Sequence, residues 1–138
     1  MFAVTITGGM ANNAAPDVVK VPAPPAPPVP TPLVNIAAIN MIIPLTASKK
    51  VWFSGGQAAQ ITSVTAMSSG DEPGVAGGVV SGMFIQAMGF MLPGNCQKVF
   101  VENVNAVGMG CQTTHNGNKV FNTTGSCSLV ANFKVDVS

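Results

Sequence analysis

The sequence predicts a small all-β protein, and three observations support this prediction. A lysine-valine-aromatic pattern recurs along the chain and opens strand-like segments. A proline-rich run occupies residues 16–32, and proline interrupts both the hydrogen bonds and the packing of a helix. In the glycine-rich centre, residues 69–82, each glycine would cost a helix roughly 1 kcal/mol relative to alanine. We therefore expect short strands and hairpins rather than helices.

Composition indicates one domain and a partner. A chain of 138 residues can bury a real core, so we expect a single domain over residues 1–138. Only 8% of the residues are charged, against roughly 25% in an ordinary soluble domain, while 47% are hydrophobic. Such a surface favours a partner that covers apolar area, the alternative being a sparsely charged, glycine-rich β-protein. Nucleic acid is not the expected partner, because no cluster of lysine and arginine is present.

The sequence also bears on targeting. The first residues have neither a basic region nor an unbroken apolar core, so we predict no signal peptide and synthesis in the cytoplasm. Residues 75–94 are uncharged and just long enough to span a bilayer, but they contain five glycines, Gln86 and Pro93. Insertion into a membrane through this stretch is therefore kept only as an alternative.

The first third of the chain predicts extended structure. Val4, Ile6 and Met10 are expected to flank one short strand that Gly8-Gly9 breaks. The prolines of residues 16–32 predict an extended, polyproline-like path without internal hydrogen bonds, lying along the folded body as a stiff strap. Residues 33–45 are apolar and rich in β-branched side chains, which predicts a buried strand pair or a strand and a turn.

The middle of the chain predicts internal repetition. The segments Lys50-Val51-Trp52 and Lys98-Val99-Phe100 lie 48 residues apart, and turn-capable residues follow each of them, which favours two β-hairpins. A shorter echo, Lys119-Val120-Phe121, precedes an expected closing strand at residues 129–137. The glycine-rich stretch is interpreted as a hinge between two similar halves, in which Asp71 and Glu72 shape a turn. The alternative to a repeat is chance among common β-forming residues.

Four residues of zinc-ligand type lie in the last third of the chain: Cys96, Cys111, His115 and Cys127. Their number fits one tetrahedral site with three cysteines and one histidine, and Cys111 and His115 have the short spacing of a ligand pair. A structural zinc would tie strand ends together where few residues are available to build a core. The alternative is that the cysteines are small buried side chains and His115 is exposed on a loop.

Enzymatic chemistry is poorly represented. Asp71 and Glu72 are adjacent, and neighbouring side chains of an extended chain point to opposite faces, so they are badly placed to act together as acid and base. A nucleophilic pair at Cys111 and His115 would need an orienting group and a cleft. We expect no enzyme activity, with a metal- or thiol-dependent hydrolase using Cys111 and His115 as the alternative.

Three sequence blocks together resemble a known family. They are Pro32-Leu33-Val34-Asn35-Ile36-Ala37, the glycine-rich stretch that contains Ser69-Gly70-Asp71-Glu72-Pro73-Gly74, and Thr113-Thr114-His115-Asn116. Their order over about residues 16–118 resembles the PAAR-like proteins of bacterial type VI secretion and related contractile injection systems. The resemblance implies a small all-β cone that caps a trimeric, VgrG-like spike and sharpens it for puncture of the target-cell envelope.

The resemblance also implies partners and a metal. One tip would sit on each spike trimer, travel with it out of the bacterial cell, and touch the target membrane transiently, and effector proteins would be further partners. PAAR-like tips typically hold a metal near the apex, which implies a structural zinc on Cys96, Cys111, His115 and Cys127.

Overall fold

The computed structural model of the chain describes residues 1–13, 15–83, 89–90, 97–117 and 119–137. Their regular elements are short strands and two single turns of 3-10 helix, Ile39–Met41 and Pro44–Thr46, so the all-β prediction is confirmed. The strands are β1 (Gly9–Asn13), β2 (Asp17–Ala23), β3 (Ala26–Leu33), β4 (Ile36–Ala38), β5 (Trp52–Phe53), β6 (Gly56–Gln57), β7 (Gly89–Phe90), β8 (Phe100–Val101), β9 (Val104–Asn105), β10 (Gln112–His115) and β11 (Thr123–Val130).

The body of the molecule is an antiparallel sheet of five strands in the order β4-β1-β11-β10-β7. Small side chains form a row across it, because Ala37 lies opposite Ala11, and Ala11 lies opposite Cys127. All three side chains are fully buried, so this face of the sheet approaches its neighbours closely. Gly9 begins β1 instead of breaking a strand, and a Cβ there would lie 2.4 Å from the carbonyl oxygen of Leu129.

One apolar core covers this sheet and joins it to the chain's first residues and to residues 59 and 107. Its buried members are Val4, Ala11, Ala37, Ile39, Ile42, Ala47, Ala59, Phe90, Val107, Cys111, Cys127 and Val130. Residues 33–45 contribute β4 followed by the two 3-10 turns, which confirms the predicted strand and turn. The predicted burial is only partly correct, because Val34, Met41, Ile43 and Leu45 are exposed.

The proline-rich segment differs from its prediction. It is extended, but it folds back on itself as the hairpin β2–β3 and is not a single strap without hydrogen bonds. Pro30 and Pro32 lie opposite Lys20 and Val18, whose main-chain groups bond away from β3. The backbone nitrogens of Pro30 and Pro32 therefore face away from β2, where no hydrogen bond between the two strands is needed. Because proline has no N–H to donate, this placement lets the segment pair with β2 without losing a ladder hydrogen bond.

The glycine-rich stretch packs along the other edge of β2 and is not a hinge between two halves. The Lys20 amide donates to the carbonyl of Gly77 over 2.9 Å, and the Val79 amide donates to the carbonyl of Val18 over 3.0 Å. Gly77 has φ of +87°, and a Cβ there would lie 2.3 Å from the oxygen of Gly82, so the close turn requires glycine. The predicted turn at Asp71 and Glu72 is present, because the Gly74 amide bonds the Asp71 carbonyl.

The structure also bears on the membrane alternative. In the part of the chain that the structure describes, no helix is long and apolar enough to cross a bilayer. Within residues 75–94, residues 75–83 form turns and residues 89–90 form β7, while residues 84–88 and 91–94 lie outside the described residues.

Candidate functional site

Three distant segments of backbone meet at one end of the sheet and bond in a closed cycle. The Val4 amide donates to the carbonyl of Val107 over 2.9 Å, and the Val107 amide donates to the carbonyl of Ala59 over 3.2 Å. The Ala59 amide closes the cycle on the carbonyl of Val4 over 2.9 Å. Each segment therefore gives one hydrogen bond and receives one, which is the pattern of a three-fold axis.

The next residues along each segment repeat the same relation. Val4, Ala59 and Val107 are the central residues of the three segments. The amide two positions after each centre donates to the carbonyl two positions before the centre of a neighbouring segment. These bonds join Ile6 to Gln57, Ile61 to Asn105 and Met109 to Phe2. The distances are 3.1, 3.1 and 2.8 Å. Three matching β-bridges join Thr5 to Ala58, Gln60 to Ala106 and Gly108 to Ala3. The backbone at this end thus has approximate three-fold symmetry.

A two-stranded arm flanks each segment. The hairpins β5–β6 and β8–β9 are two of the arms, and both predicted hairpins are confirmed. Their two-residue turns have positive φ at both positions, Ser54 and Gly55 in one and Glu102 and Asn103 in the other, which matches the twist of a tight hairpin.

The third arm is assembled from the two ends of the chain. Phe2 bridges to Asp136, and the Val137 amide donates to the carbonyl of Met1 over 2.8 Å. The Met1 ammonium contacts the Asp136 carboxylate at 3.0 Å across the position that a hairpin turn occupies in the other two arms. We refer to residues 1–6 with 133–137, 51–61 and 99–109 as the hairpin ring.

The hairpin ring has its own apolar core, which repeats with the same symmetry. Ala3, Ala58 and Ala106 occupy equivalent positions, and their amides bond to the equivalent carbonyls of Val135, Val51 and Val99 over 2.9 to 3.1 Å. The three alanines are 0–1% exposed, whereas the three valines are half-buried. Small side chains at the axis let the three segments approach each other, and the valines surround them.

The symmetry corrects the predicted repeat. Two copies, at residues 50–52 and 98–100, are confirmed as equivalent arms, but the third copy is Lys134-Val135-Asp136 and not Lys119-Val120-Phe121. Val120 is 63% exposed and belongs to no strand. The closing strand predicted at residues 129–137 is divided between the end of β11 and this third arm.

A buried polar network lies at the opposite end of the sheet from the hairpin ring. Strands β1 and β10 begin beside the ring and end at Asn13 and His115, which places the two features roughly 15 Å apart at about 3.3 Å per residue. The network joins these strand ends to the β2–β3 hairpin and the glycine-rich stretch. Its fully buried members are Asp17, Asn35, Asp71, Thr113, His115 and Asn116.

Asp17 is the acceptor at the centre of this network. Its Oδ2 accepts hydrogen bonds from Asn35 Nδ2 at 3.0 Å and from Asn116 Nδ2 at 2.5 Å, and its Oδ1 accepts one from Asn122. The Asn116 Nδ2 atom also donates to Asp71 Oδ2 at 2.5 Å. Burial raises the pKa of Asp17, and the hydrogen bonds from Asn122 and Asn35 oppose that rise. Three amides thus compensate for removing one carboxylate from water.

His115 is held in the same network through both ring nitrogens. Its Nδ1 lies 3.1 Å from Asn35 Oδ1, and its Nε2 lies 3.0 Å from the Thr113 hydroxyl. Its ring packs over Gly125, where a Cβ would come within 2.6 Å of Nε2. Burial lowers the pKa of His115 to about 4, against a weak opposing attraction from Asp71, so the imidazole is neutral at pH 7. The prediction of an exposed loop histidine is wrong.

The four candidate zinc ligands are only partly brought together. Cys111 and Cys127 are buried neighbours, since the Cys127 amide donates to the Cys111 carbonyl over 3.0 Å and a side-chain hydrogen bond from Cys111 lowers the pKa of the Cys127 thiol. His115 is engaged by Asn35 and Thr113, and Cys96 lies outside the described residues. Within the described ranges no three metal-binding side chains meet. The contacts of His115 do not fit a zinc site, and binding by the cysteines stays a prediction.

Sequence reasoning missed the network, although all three blocks that carry the family resemblance contain its members. The sequence predicts only a turn at Asp71 and no role for Asn35 or Asn116. The available signal was the position of Asp17, Asn35 and Asn116 within apolar or uncharged stretches of a chain that has so few charges. A polar residue in such surroundings is either exposed on a loop or buried with partners.

The fold is thus an all-β body closed at one end by an approximately three-fold ring, with a buried polar network at the other end. The family model of the toxin PAAR-like domain matches residues 10–123, and the chain belongs to this family. The resemblance predicted from the sequence is confirmed, and PAAR-like domains are a structural spike-tip family that generally associates with VgrG spikes. No curated protein and no solved structure matches the chain.

Proposed function

We propose that this chain is the tip protein that caps the trimeric, VgrG-like spike of a contractile injection system, with one tip on each trimer. The observation that carries the proposal is the three-fold hydrogen-bond pattern of the hairpin ring. A trimer presents every feature of its end surface three times around its axis. One chain can match all three copies at once only if its own docking surface repeats three times.

The composition of the hairpin ring suits a covered surface. Val51, Val99 and Val135 are half-buried, and Trp52 and Phe100 are 57% and 59% exposed. Aromatic and aliphatic side chains of this kind are enriched at the centres of protein interfaces. Covering these side chains removes apolar area from water and stabilises the complex by about 25 cal/mol per Å². A surface that a partner covers needs few charges, which explains the low charge content of the chain.

The other end of the molecule suits mechanical work. The buried network ties the β2–β3 hairpin and the glycine-rich stretch to the strands that descend to the ring. Strand β3 is almost entirely exposed, yet Pro30 and Pro32 leave its outer edge without N–H donors at those positions. An edge of this kind resists pairing with other chains, so the tip remains free until it meets the target envelope.

The groups best suited to chemistry serve structure in this proposal. Asp17 and His115 are fully buried and bonded to amide and hydroxyl side chains, so neither is presented to a substrate. A thiol-dependent hydrolase would require His115 to activate Cys111, whereas the imidazole bonds Asn35 and Thr113 instead. The chain therefore works without turnover, as a compact body that concentrates force.

The proposal includes the route of the protein. The tip is made in the bacterial cytoplasm, assembled on the spike and delivered with it, and it touches the target membrane only during puncture. Effector proteins that travel with the spike are further partners.

The test is to mix the purified chain with the VgrG-like spike trimer of the same bacterium and to measure the mass of the complex by light scattering. We expect one tip per three spike chains. A W52S/F100S variant should bind about tenfold or more weakly, because it truncates exposed aromatic side chains of the ring. The matched control, V29S/V34S, changes two exposed valines outside the ring and should bind normally.

Three outcomes would contradict the proposal. They are the absence of any complex, a ratio of one tip to one spike chain, and equal weakening by the ring variant and its control. Thermal unfolding of both variants checks that they are folded, and substitutions at such exposed positions should cost less than about 0.5 kcal/mol.

A further inference from the structure

The few charges of this chain are separated between its two ends. Four of the six lysines, Lys49, Lys50, Lys98 and Lys134, lie in the hairpin ring or directly beside it. Only two of the five carboxylates lie there, Glu102 and Asp136, and the other three belong to the opposite end. Asp136 pairs with the Met1 ammonium, so the side-chain charge of the ring is predominantly positive.

Three of these lysines are related by the symmetry of the ring. Each of Lys50, Lys98 and Lys134 immediately precedes the valine whose carbonyl accepts a hydrogen bond from Ala58, Ala106 or Ala3. The three lysines therefore occupy one register position in the three arms, and all three are exposed. Exposed lysines are common, but the fold does not require one at the same position of all three arms. Two positions later it accepts three different residues, Trp52, Phe100 and Asp136.

None of the three lysines forms an ion pair in the part of the chain that the structure describes. Among the described residues the only ion pair joins Met1 and Asp136. Glu102 is the one carboxylate near a member of the set: its pKa is lowered mainly by its hydrogen bond from Ser48, and more weakly by the charge of Lys50. All three lysine side chains are exposed and take no part in that ion pair, so their positive charge is available to a partner.

We infer that the end of the spike on which this ring sits carries three symmetry-related carboxylates, one from each protomer, which face Lys50, Lys98 and Lys134. The inference rests on the proposed function and adds the chemistry of the partner surface. A trimer places any acidic residue near its axis three times, at 120° intervals, so one acidic residue in the spike sequence complements all three lysines. Basic residues at that position would repel the ring.

This arrangement acts mainly on association. Exposed ion pairs add little to affinity, but complementary charges speed the encounter of two proteins and disfavour wrong partners. An apolar ring approaching an apolar spike end has no preferred orientation until it touches. Three positive charges facing three negative ones would align the two axes before contact, and would do so less effectively as salt increases.

The experiment compares the wild-type chain with K50Q/K98Q/K134Q in binding to the VgrG-like spike trimer of the same bacterium, by stopped-flow fluorescence of Trp52 from about 20 to 500 mM salt. We expect wild-type association to slow steeply with salt. The triple variant should associate about tenfold more slowly at low salt and depend little on salt. The control K20Q/K119Q removes two lysines outside the ring and should follow the wild type.

A second variant set makes the test specific for carboxylates. K50E/K98E/K134E should abolish association at low salt, and replacing the facing acidic residue of the spike by lysine should restore it. Equal rates and salt slopes for wild type and K50Q/K98Q/K134Q would overturn the inference while leaving a bound tip and the proposed function in place. A wild-type chain that binds the spike at no salt concentration would instead contradict the proposed function, and with it this inference.

Discussion

The buried histidine makes stability depend on pH in a predictable direction. His115 is the only histidine of the chain, and burial lowers its pKa from 6.5 to about 4. In the unfolded chain the imidazole takes up a proton as the pH falls through 6.5, whereas the folded protein keeps it neutral until about pH 4. The unfolded state therefore binds more protons in this window, and stability decreases as the pH falls.

The magnitude follows from the two pKa values. At about 1.36 kcal/mol per pH unit, lowering the pH from 7 to 5 should cost about 2 kcal/mol of unfolding free energy. Globular proteins have an unfolding entropy of about 2.1 cal/mol/K per residue, so for this chain the melting temperature should fall by about 7 °C. Asp17 acts in the opposite sense, because its raised pKa favours the folded state as its carboxylate becomes protonated.

The assay is thermal unfolding at several pH values for the wild-type chain and for H115Q, which carries no imidazole. The variant should be less stable at pH 7, because it disturbs the bonds to Asn35 and Thr113, but it should lose the additional decrease between pH 7 and 5. Proton NMR of the single imidazole reports its pKa directly. A pKa above about 6, or the same pH dependence in both proteins, would refute the reasoning.

Three further predictions follow from the network and the sheet. D17N should lose about 2–4 kcal/mol of unfolding free energy, because its amide must turn an N–H₂ group toward buried donors. The control D136N, at an exposed ion pair, should lose less than about 1 kcal/mol. Chemical denaturation measures both, and a D17N protein as stable as D136N would contradict the network. G125A should lower the unfolding free energy by about 3 kcal/mol, since its Cβ would lie 2.1 Å from the Asn12 carbonyl oxygen. The control S128A, at an exposed position of the same strand, should be nearly neutral. Similar melting temperatures for the two variants would contradict the close packing. Elemental analysis of the purified chain should give the same zinc content for the wild type and H115Q, because the imidazole is engaged in hydrogen bonds. Zinc that is present in the wild type and absent from H115Q would instead support the site of three cysteines and one histidine.

Local signals predicted much of the fold. The hairpins at residues 52–57 and 100–105 could be predicted because a strand pattern is followed at once by residues that accept the φ angles of a tight turn. The turn at Asp71 and Glu72 and the strand with turns in residues 33–45 are also encoded locally. Each depends on neighbours within a few residues.

The errors concern contacts between distant segments. The third arm pairs Phe2 with Asp136, and no local pattern reports a bridge across 134 positions of sequence. Its copy of the repeat has Asp136 in place of an aromatic residue, so Lys119-Val120-Phe121 matched better by sequence alone. The polar network likewise depends on residues contributed by β2, β10 and three loops.

The proline-rich segment shows a different limit. Its composition predicted extended backbone correctly, but the spacing of Pro30 and Pro32 held further information. Prolines at alternate positions leave every intervening N–H on the other edge of the strand, free to bond β2. An alternating run of prolines therefore permits a hairpin, whereas a continuous run would not.

Electron cryo-microscopy of the chain bound to its spike trimer would test the central claim most directly. We expect the approximate three-fold axis between Val4, Ala59 and Val107 to coincide with the axis of the trimer. The hairpin ring should lie against the spike, and the β2–β3 hairpin should lie at the free end. A tip attached through the β2–β3 hairpin or through the side of the five-stranded sheet, with the ring exposed to solvent, would contradict this claim.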